Sequence, residues 1–181
     1  MSKKIVACVA LAILTTGVGV VSAAPVKDYK EGQTSVGYGY YDCTSGANAV
    51  YGEYGVTDKI LVGVQYAKFD EGHVTDVYGK YRLQDQVYAY LGGRDYNVDR
   101  SVGGADSKWG SVSVGVEGIV NLAPKVDAYA SLKYSSRDNE YKIGVGYQID
   151  KNWGIDLNYT KNDLDEGADV DGMVIGVNYT F

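Results

Sequence analysis

Apolar and polar residues alternate along most of the chain from Thr34 onward. Because side chains of an extended strand point alternately to opposite faces, alternation of this kind is typical of β-strands. The last ten residues are the clearest case, with one apolar face made of Met173, Ile175, Val177, Tyr179 and Phe181. About ten such segments follow one another, separated by turn signals. The pattern predicts an all-β, antiparallel, up-and-down barrel of about ten strands, and the loss of one hairpin would give the alternative of eight.

The connections between the predicted strands fall into two classes that alternate along the chain. The short class comprises Thr57–Lys59, Gln84–Asp85, Leu122–Lys125 and Asp150–Asn152. The longer and more polar class comprises Cys43–Asn48, Phe69–His73, Arg94–Lys108, Ser135–Glu140 and Lys161–Asp171. Transmembrane barrels of bacteria combine short periplasmic turns with longer outer loops. This asymmetry predicts a transmembrane barrel with both termini in the periplasm.

The two faces of the predicted strands differ in charge, and this difference helps to decide whether the outer surface of the barrel contacts lipid or water. One face carries Val, Ile, Leu, Tyr and Trp without charge, and the other carries Gly, Ser, Asn, Gln and single charged residues. A water-soluble barrel with the charged face outside is the alternative. The glycine-rich polar face suits a narrow lumen, and the aromatic residues gather near strand ends as in an interfacial belt, so we favour the membrane. The charges that this assignment directs into the lumen are Glu53, Asp76, Lys80, Arg82, Glu117, Asp127, Lys133, Lys142 and Asp156.

These luminal charges are of mixed sign, and buried charges must be paired or hydrated. We therefore expect an ion-pair network that fills the interior. The alternative is a charged filter in a conducting pore.

Composition agrees with a membrane barrel. The chain has 181 residues, with 18 Tyr, 24 Gly and only 2 Pro. No long apolar run follows residue 23, as expected when apolar residues alternate. The formal net charge of −6 is unfavourable for nucleic-acid binding, so we expect no nucleic-acid partner.

The first 23 residues are typical of a secretory signal peptide. Lys3 and Lys4 precede an apolar segment from Ile5 to Val21, and Val21–Ala23 provides the small residues before a cleavage site. We expect residues 1–23 to be the leader, residues 24–33 a periplasmic lead-in and residues 34–181 the barrel. Cleavage leaves Cys43 as the lone cysteine, so no intramolecular disulfide is expected.

The end of the chain resembles the C-terminal assembly signal of bacterial outer-membrane barrels. Gly176, Tyr179 and Phe181 match that pattern, whereas Val174 stands where the family usually has a polar residue. Together with the leader and turns such as Tyr54–Lys59, it resembles the small outer-membrane β-barrel proteins, which include opacity-type, OmpX-like and porin-like domains. The resemblance implies insertion into the outer membrane by the barrel-assembly machinery, with outer-membrane lipid as a partner.

Residues with catalytic or metal-binding chemistry are few. His73 is the only histidine, and it lies near Asp70, Glu71 and Asp76, of which Asp76 could orient it as a general base. The segment Asn162–Asp171 is acidic, but its spacing matches no calcium loop that we identify. We expect no catalytic residue, no cofactor and no metal site.

The sequence therefore predicts a structural or porin-like barrel of the outer membrane, which passes small solutes passively and is not an enzyme. The first alternative is an adhesin whose outer loops bind a host or matrix ligand. A hydrolase at the barrel rim, built around His73, is a third hypothesis.

Overall fold

A computed structural model describes residues 29–42, 46–69, 72–98, 107–164 and 170–181. It contains ten strands: β1 (Thr34–Asp42), β2 (Ala47–Gly55), β3 (Ile60–Phe69), β4 (Gly72–Gln84), β5 (Val87–Val98), β6 (Ser107–Ala123), β7 (Val126–Ser135), β8 (Asp138–Gln148), β9 (Trp153–Leu164) and β10 (Val170–Thr180). Consecutive strands pair antiparallel, and β1 pairs with β10, so the sheet closes into a barrel. The prediction of a ten-stranded up-and-down barrel is confirmed, and the alternative of eight strands is wrong. Within these residues, no helix has the length and apolar character needed to cross a membrane.

The two ends of the barrel are distinguished by their connections. The short-turn end carries the four connections that leave even-numbered strands, together with Gln33 and Phe181. The opposite end, which we call the loop end, carries the other connections. Residues 43–45, 70–71, 99–106 and 165–169 of those connections lie outside the described residues, as do Cys43 and the predicted leader.

Several strands run further than the sequence predicted. β5 continues through Arg94 to Val98, and β8 already begins at Asp138, although both segments were assigned to loops. The connections 70–71 and 136–137 have only two residues, so the predicted alternation of long and short loops is wrong at these two points. The reason is that Asp, Asn, Ser and Gly are turn signals in a water-soluble sheet but are ordinary inward-facing residues in a barrel with a polar interior.

Side-chain oxygens stabilise two of the turns at the short-turn end. The Thr57 hydroxyl accepts hydrogen bonds from the N–H groups of Lys59 (3.2 Å) and Ile60 (3.0 Å). The Asp150 carboxylate accepts from the N–H groups of Trp153 and Asn152, both at 2.8 Å. These two bonds favour the ionised carboxylate and lower the pKa of Asp150.

The outward face of the barrel is apolar over the middle of the strands, and charged residues such as Asp163 appear on it only toward the loop end. Aromatic residues gather on it near the short-turn end, namely Tyr54, Tyr81, Tyr147, Trp153, Tyr179 and Phe181. A second group lies toward the loop end, namely Tyr40, Tyr66, Tyr134 and Tyr159. Between the two groups most of the exposed residues are aliphatic, for example Val64, Leu91 and Leu157, and Tyr38 is an aromatic exception. An apolar band between two aromatic girdles is the surface that lipid-facing barrels present.

Candidate functional site

The candidate site is the interior of the barrel, because the charged side chains meet there. All nine of the charges that the sequence directed inward have their side chains on the face that points into the barrel. They do not form one site: seven of them lie in three groups of contacts, and Arg82 and Asp127 have other partners. Each of the three groups also depends on residues that the sequence analysis did not select.

Four residues near the short-turn half of the lumen form what we call the Lys80 cluster. Its members are Glu53, Tyr78, Lys80 and Glu117, all of them buried. The Lys80 ammonium lies 3.1 Å from Glu117 Oε1 and 3.4 Å from Glu53 Oε1. The Tyr78 hydroxyl donates to Glu53 at 2.8 Å. Two carboxylates thus share one cation, and the phenol satisfies a further lone pair of Glu53.

Six residues in the loop-end half form what we call the Arg94 cluster, which is balanced in charge. Its members are three cations and three acids, namely Asp76, Arg94, Lys133, Asp138, Glu140 and Lys142. Arg94 binds Asp76 with two parallel bonds (2.6 and 2.7 Å), Asp138 with one (2.7 Å), and Glu140 with a third contact. Glu140 also lies 2.8 Å from Lys133 and 3.8 Å from Lys142.

The Arg94 cluster crosses part of the lumen, because it joins β4 and β5 to β7 and β8, on the other side of β6. Asp76, Arg94, Asp138 and Glu140 are each at most 4 % exposed. A guanidinium carries five donors in a planar fork and can therefore hold several carboxylates at once. The cluster is therefore a crosslink between strands of the barrel interior.

Arg94, Asp138 and Glu140 were missed by the sequence analysis. The alternating pattern nevertheless indicates their direction. Arg94 lies an even number of positions from the inward-facing Tyr88 and Tyr90, and Glu140 lies two positions from the inward-facing Lys142. Their polar neighbours are typical of loops, and for this reason the sequence predicts loops at these positions.

A third group runs along β9, and we call it the Asp156 ladder. Tyr129 donates to Asp156 at 2.8 Å, the Asn158 amide donates to Asp156 at 2.6 Å, and the Thr160 hydroxyl donates to Asn158 at 2.6 Å. Asn162 continues the line and donates to the Tyr96 hydroxyl at 2.8 Å. Asp156, Asn158, Thr160 and Asn162 lie along the inward face of β9, and all four are buried.

The remaining predicted charges lie toward the short-turn end. Arg82 donates to the backbone carbonyl of Tyr29 at 3.1 Å, and Asp127 accepts from the Asn121 amide at 3.0 Å. Beside Asp127 the lumen opens into a cavity of about 360 Å³, lined on the β6–β10 side by Asn121, Gln148 and Asn178 among others. This vestibule is the free space at the short-turn end.

The suggestion that Asp76 orients His73 is wrong. The two residues are three positions apart in β4, so their side chains leave opposite faces of the strand. Asp76 points inward to Arg94, whereas the His73 ring packs against Tyr66 with 5.3 Å between ring centroids. Asp70 and Glu71 lie outside the described residues, and so do residues 165–169 of the predicted acidic segment.

Tyrosine rings lie over inward-facing glycines of neighbouring strands. Tyr129 is paired with Gly144, and Tyr78 is paired with Gly63. A Cβ at Gly144 would stand 2.6 Å from the Tyr129 ring and 2.6 Å from Asn158 Cβ. The missing side chain is therefore what admits the ring.

We expect Gly144→Ala to destabilise the barrel by about 1–3 kcal/mol, because the added methyl group overpacks the lumen. The matched control is Gly118→Ala, where an added Cβ meets nothing within 4 Å. The midpoint of urea unfolding in detergent micelles measures both effects. Equal midpoints for the two variants would contradict close packing of the ring.

The residues of the assembly signal take different positions. Gly176 faces inward, whereas Tyr179 faces outward between Trp153 and Phe181, with ring centroids 4.9 and 4.8 Å away. Their role in assembly stays a prediction.

Comparison with known proteins identifies the fold. No protein-family model matches the sequence, and no curated protein is similar to it in sequence. The structure is similar to the KdgM porin, with a TM-score of 0.54 and 12% identity over 81% of this chain and 99% of that chain. It is also similar to the N-terminal β-barrel domain of Pseudomonas aeruginosa OprF, with a TM-score of 0.52 and 10% identity over 84% of this chain and 100% of that chain. At these identities the comparison concerns the fold alone: the chain folds as a closed antiparallel β-barrel of the outer-membrane type.

Proposed function

We propose that the protein is an integral barrel of the bacterial outer membrane, structural or porin-like in function, whose lumen is held closed by its own ion pairs. The apolar band between two aromatic girdles supports a lipid environment. Gln33, which precedes β1, and Phe181 lie at the short-turn end with the tight connections, which supports a periplasmic location for that end. The similarity to a porin supports passage of small solutes rather than catalysis.

The observation that carries this proposal is the Arg94 cluster. It joins β4 and β5 to β8, three strands further round the wall from β5, through four side chains that are nearly inaccessible to water. A permanently open pore would leave its lining charges hydrated. The vestibule reaches inward as far as Tyr129, so the Arg94 cluster and the Asp156 ladder form the main barrier above it. Passage then requires that the ion pairs of Arg94 separate.

Single-channel recording in planar bilayers tests this proposal. We expect the refolded protein to be closed most of the time, with brief openings of small amplitude. Glu140→Gln removes the acid shared by Arg94, Lys133 and Lys142 without changing side-chain size, and we expect it to raise the open probability.

The matched control is Asp163→Asn, which neutralises an outward-facing acid at the loop end and should leave gating unchanged. A large, steady conductance in the unmodified protein would contradict a closed lumen. Silence of both the unmodified protein and Glu140→Gln would restrict the function to a structural one.

The adhesin hypothesis stays a prediction. It concerns the connections at the loop end, and the largest of these, residues 99–106, lies outside the described residues. Loss of cell adherence after exchange of that connection would support it.

A further inference from the structure

The segment Tyr29–Gln33 precedes β1, and it turns into the mouth of the barrel at the short-turn end. The Tyr29 side chain is buried inside the lumen. Its hydroxyl donates to Glu53 at 2.9 Å, and its ring meets Tyr88 edge-on with 6.0 Å between centroids. The Arg82 guanidinium donates to its backbone carbonyl. A residue that the sequence assigned to a polar lead-in thus occupies the interior.

The backbone of the segment is docked on the end of β2. Gly32 donates to the Gly55 carbonyl at 2.8 Å, and Gly55 donates to the Gln33 carbonyl at 2.8 Å. Glu31 donates its N–H to Asp58 at 3.1 Å. A Cβ at Gly55 would overlap the carbonyl oxygen of Lys30. Close approach of the segment therefore requires glycine at position 55.

The residues that bind the Tyr29 side chain keep their other partners when Tyr29 leaves the lumen. Glu53 keeps the Tyr78 hydroxyl and the Lys80 ammonium as partners, so withdrawal of the phenol leaves no unpaired carboxylate. Burial and the nearby Glu53 carboxylate raise the pKa of Tyr29, so the phenol stays protonated and can return as a donor. None of the ladder bonds that close the barrel involves this segment.

The segment covers only part of the mouth. Tyr29 contacts side chains of β2, β4 and β5, whereas the vestibule opens on the β6–β10 side of the same end. Leu61 lies beneath the docked backbone, since it is paired with Gly55, and it is 1 % exposed. Removal of the segment would open the Lys80 cluster to the solution at the short-turn end.

We propose that Tyr29–Gln33 is a removable stopper, an autoinhibitory contact that seats Tyr29 on the Lys80 cluster and narrows the short-turn mouth of the lumen. The effect on conductance rests on the proposed function, whereas the seating of the segment does not. The stopper sets the width of the mouth, and the Arg94 cluster sets whether the lumen is open.

Thiol labelling of the full chain tests the seating directly. Leu61→Cys, with Cys8 and Cys43 replaced by Ser, is treated with a water-soluble methanethiosulfonate reagent in micelles. We expect slow labelling with the stopper seated, and labelling at least tenfold faster after Tyr29→Ala or Gly55→Ala.

Gly52→Ala is the matched control on the same strand, because a Cβ there meets nothing within 4 Å. Ala67→Cys, which belongs to a separate buried group with Tyr41 and Val174, should stay protected in every variant and reports that the barrel is intact.

Equal labelling of Leu61→Cys in all variants would overturn the stopper. Tyr29 belongs to no strand of the barrel, so Tyr29→Ala should fold even if Gly55→Ala does not, and it then tests the stopper alone.

In planar bilayers we expect Tyr29→Ala to enlarge the single-channel conductance and to leave the open probability unchanged. Faster labelling without any conductance would support the stopper and contradict passage of solutes, whereas ordinary conductance with unchanged labelling would contradict the stopper alone.

Discussion

Arg94→Met is expected to destabilise the barrel by about 3–5 kcal/mol, the cost of removing one partner from a buried ion pair. The variant keeps the length of the side chain but leaves Asp76 and Asp138 without the cation that binds them, and leaves Glu140 with the lysines alone. Three carboxylates would then repel one another in a lumen that excludes water. The urea midpoint in micelles and heat-modifiable migration on a gel measure the loss.

A rescue experiment separates charge from packing. Neutralising the acids in the same chain, with Asp76→Asn, Asp138→Asn and Glu140→Gln, should restore part of the lost stability, because neutral side chains need no cation. Lys59→Met removes an exposed cation at a turn and should have little effect. An unchanged midpoint for Arg94→Met would mean that water reaches the acids and that the lumen is not closed.

Leu157→Arg is expected to cost about 2–4 kcal/mol of stability in a lipid bilayer, the penalty for a cation on the lipid face near the midplane. Leu157 faces outward, and it lies on β9 between the aromatic residues Trp153 and Tyr159. Its neighbours in register, Ile175 and Val145, are also exposed and apolar. An arginine there would place a charge in this apolar band. Refolding into lipid vesicles as a function of urea measures the effect.

Leu122→Arg is the matched control, because Leu122 is exposed and apolar but lies beside the β6–β7 turn at the short-turn end. The charge would reach water there, so we expect a change near zero. Similar small effects at both positions would indicate that the outward face meets water, and they would favour the soluble barrel that alternation alone left open.

The order and number of strands could be predicted because they depend on a local signal. Each strand exposes one apolar face to the outside, and a period of two residues is visible in any segment of eight or more. The ends of strands were harder, as Arg94–Val98 and Asp138–Glu140 illustrate. Where a strand passes beyond the apolar band both of its faces become polar, and a continuing ladder then looks like a loop.

The candidate site could be predicted only in outline. The alternation along each strand places Lys80 and Glu117, which are 37 positions apart in the chain, on the same face of the sheet. It does not say which acid meets which base, because that depends on the stagger between strands and on the closure of β1 against β10. The burial of Tyr29 had no periodic signal at all, since the segment that carries it belongs to no strand.

The sequence by itself determined the class of fold, the two faces of each strand and the sign of the charges inside. These properties follow from side chains whose direction is set by the backbone within two residues. Only the tertiary structure decided that Arg94 gathers three acids and that Tyr29 occupies the mouth of the lumen. Each of these depends on distances between strands that meet only when the barrel closes.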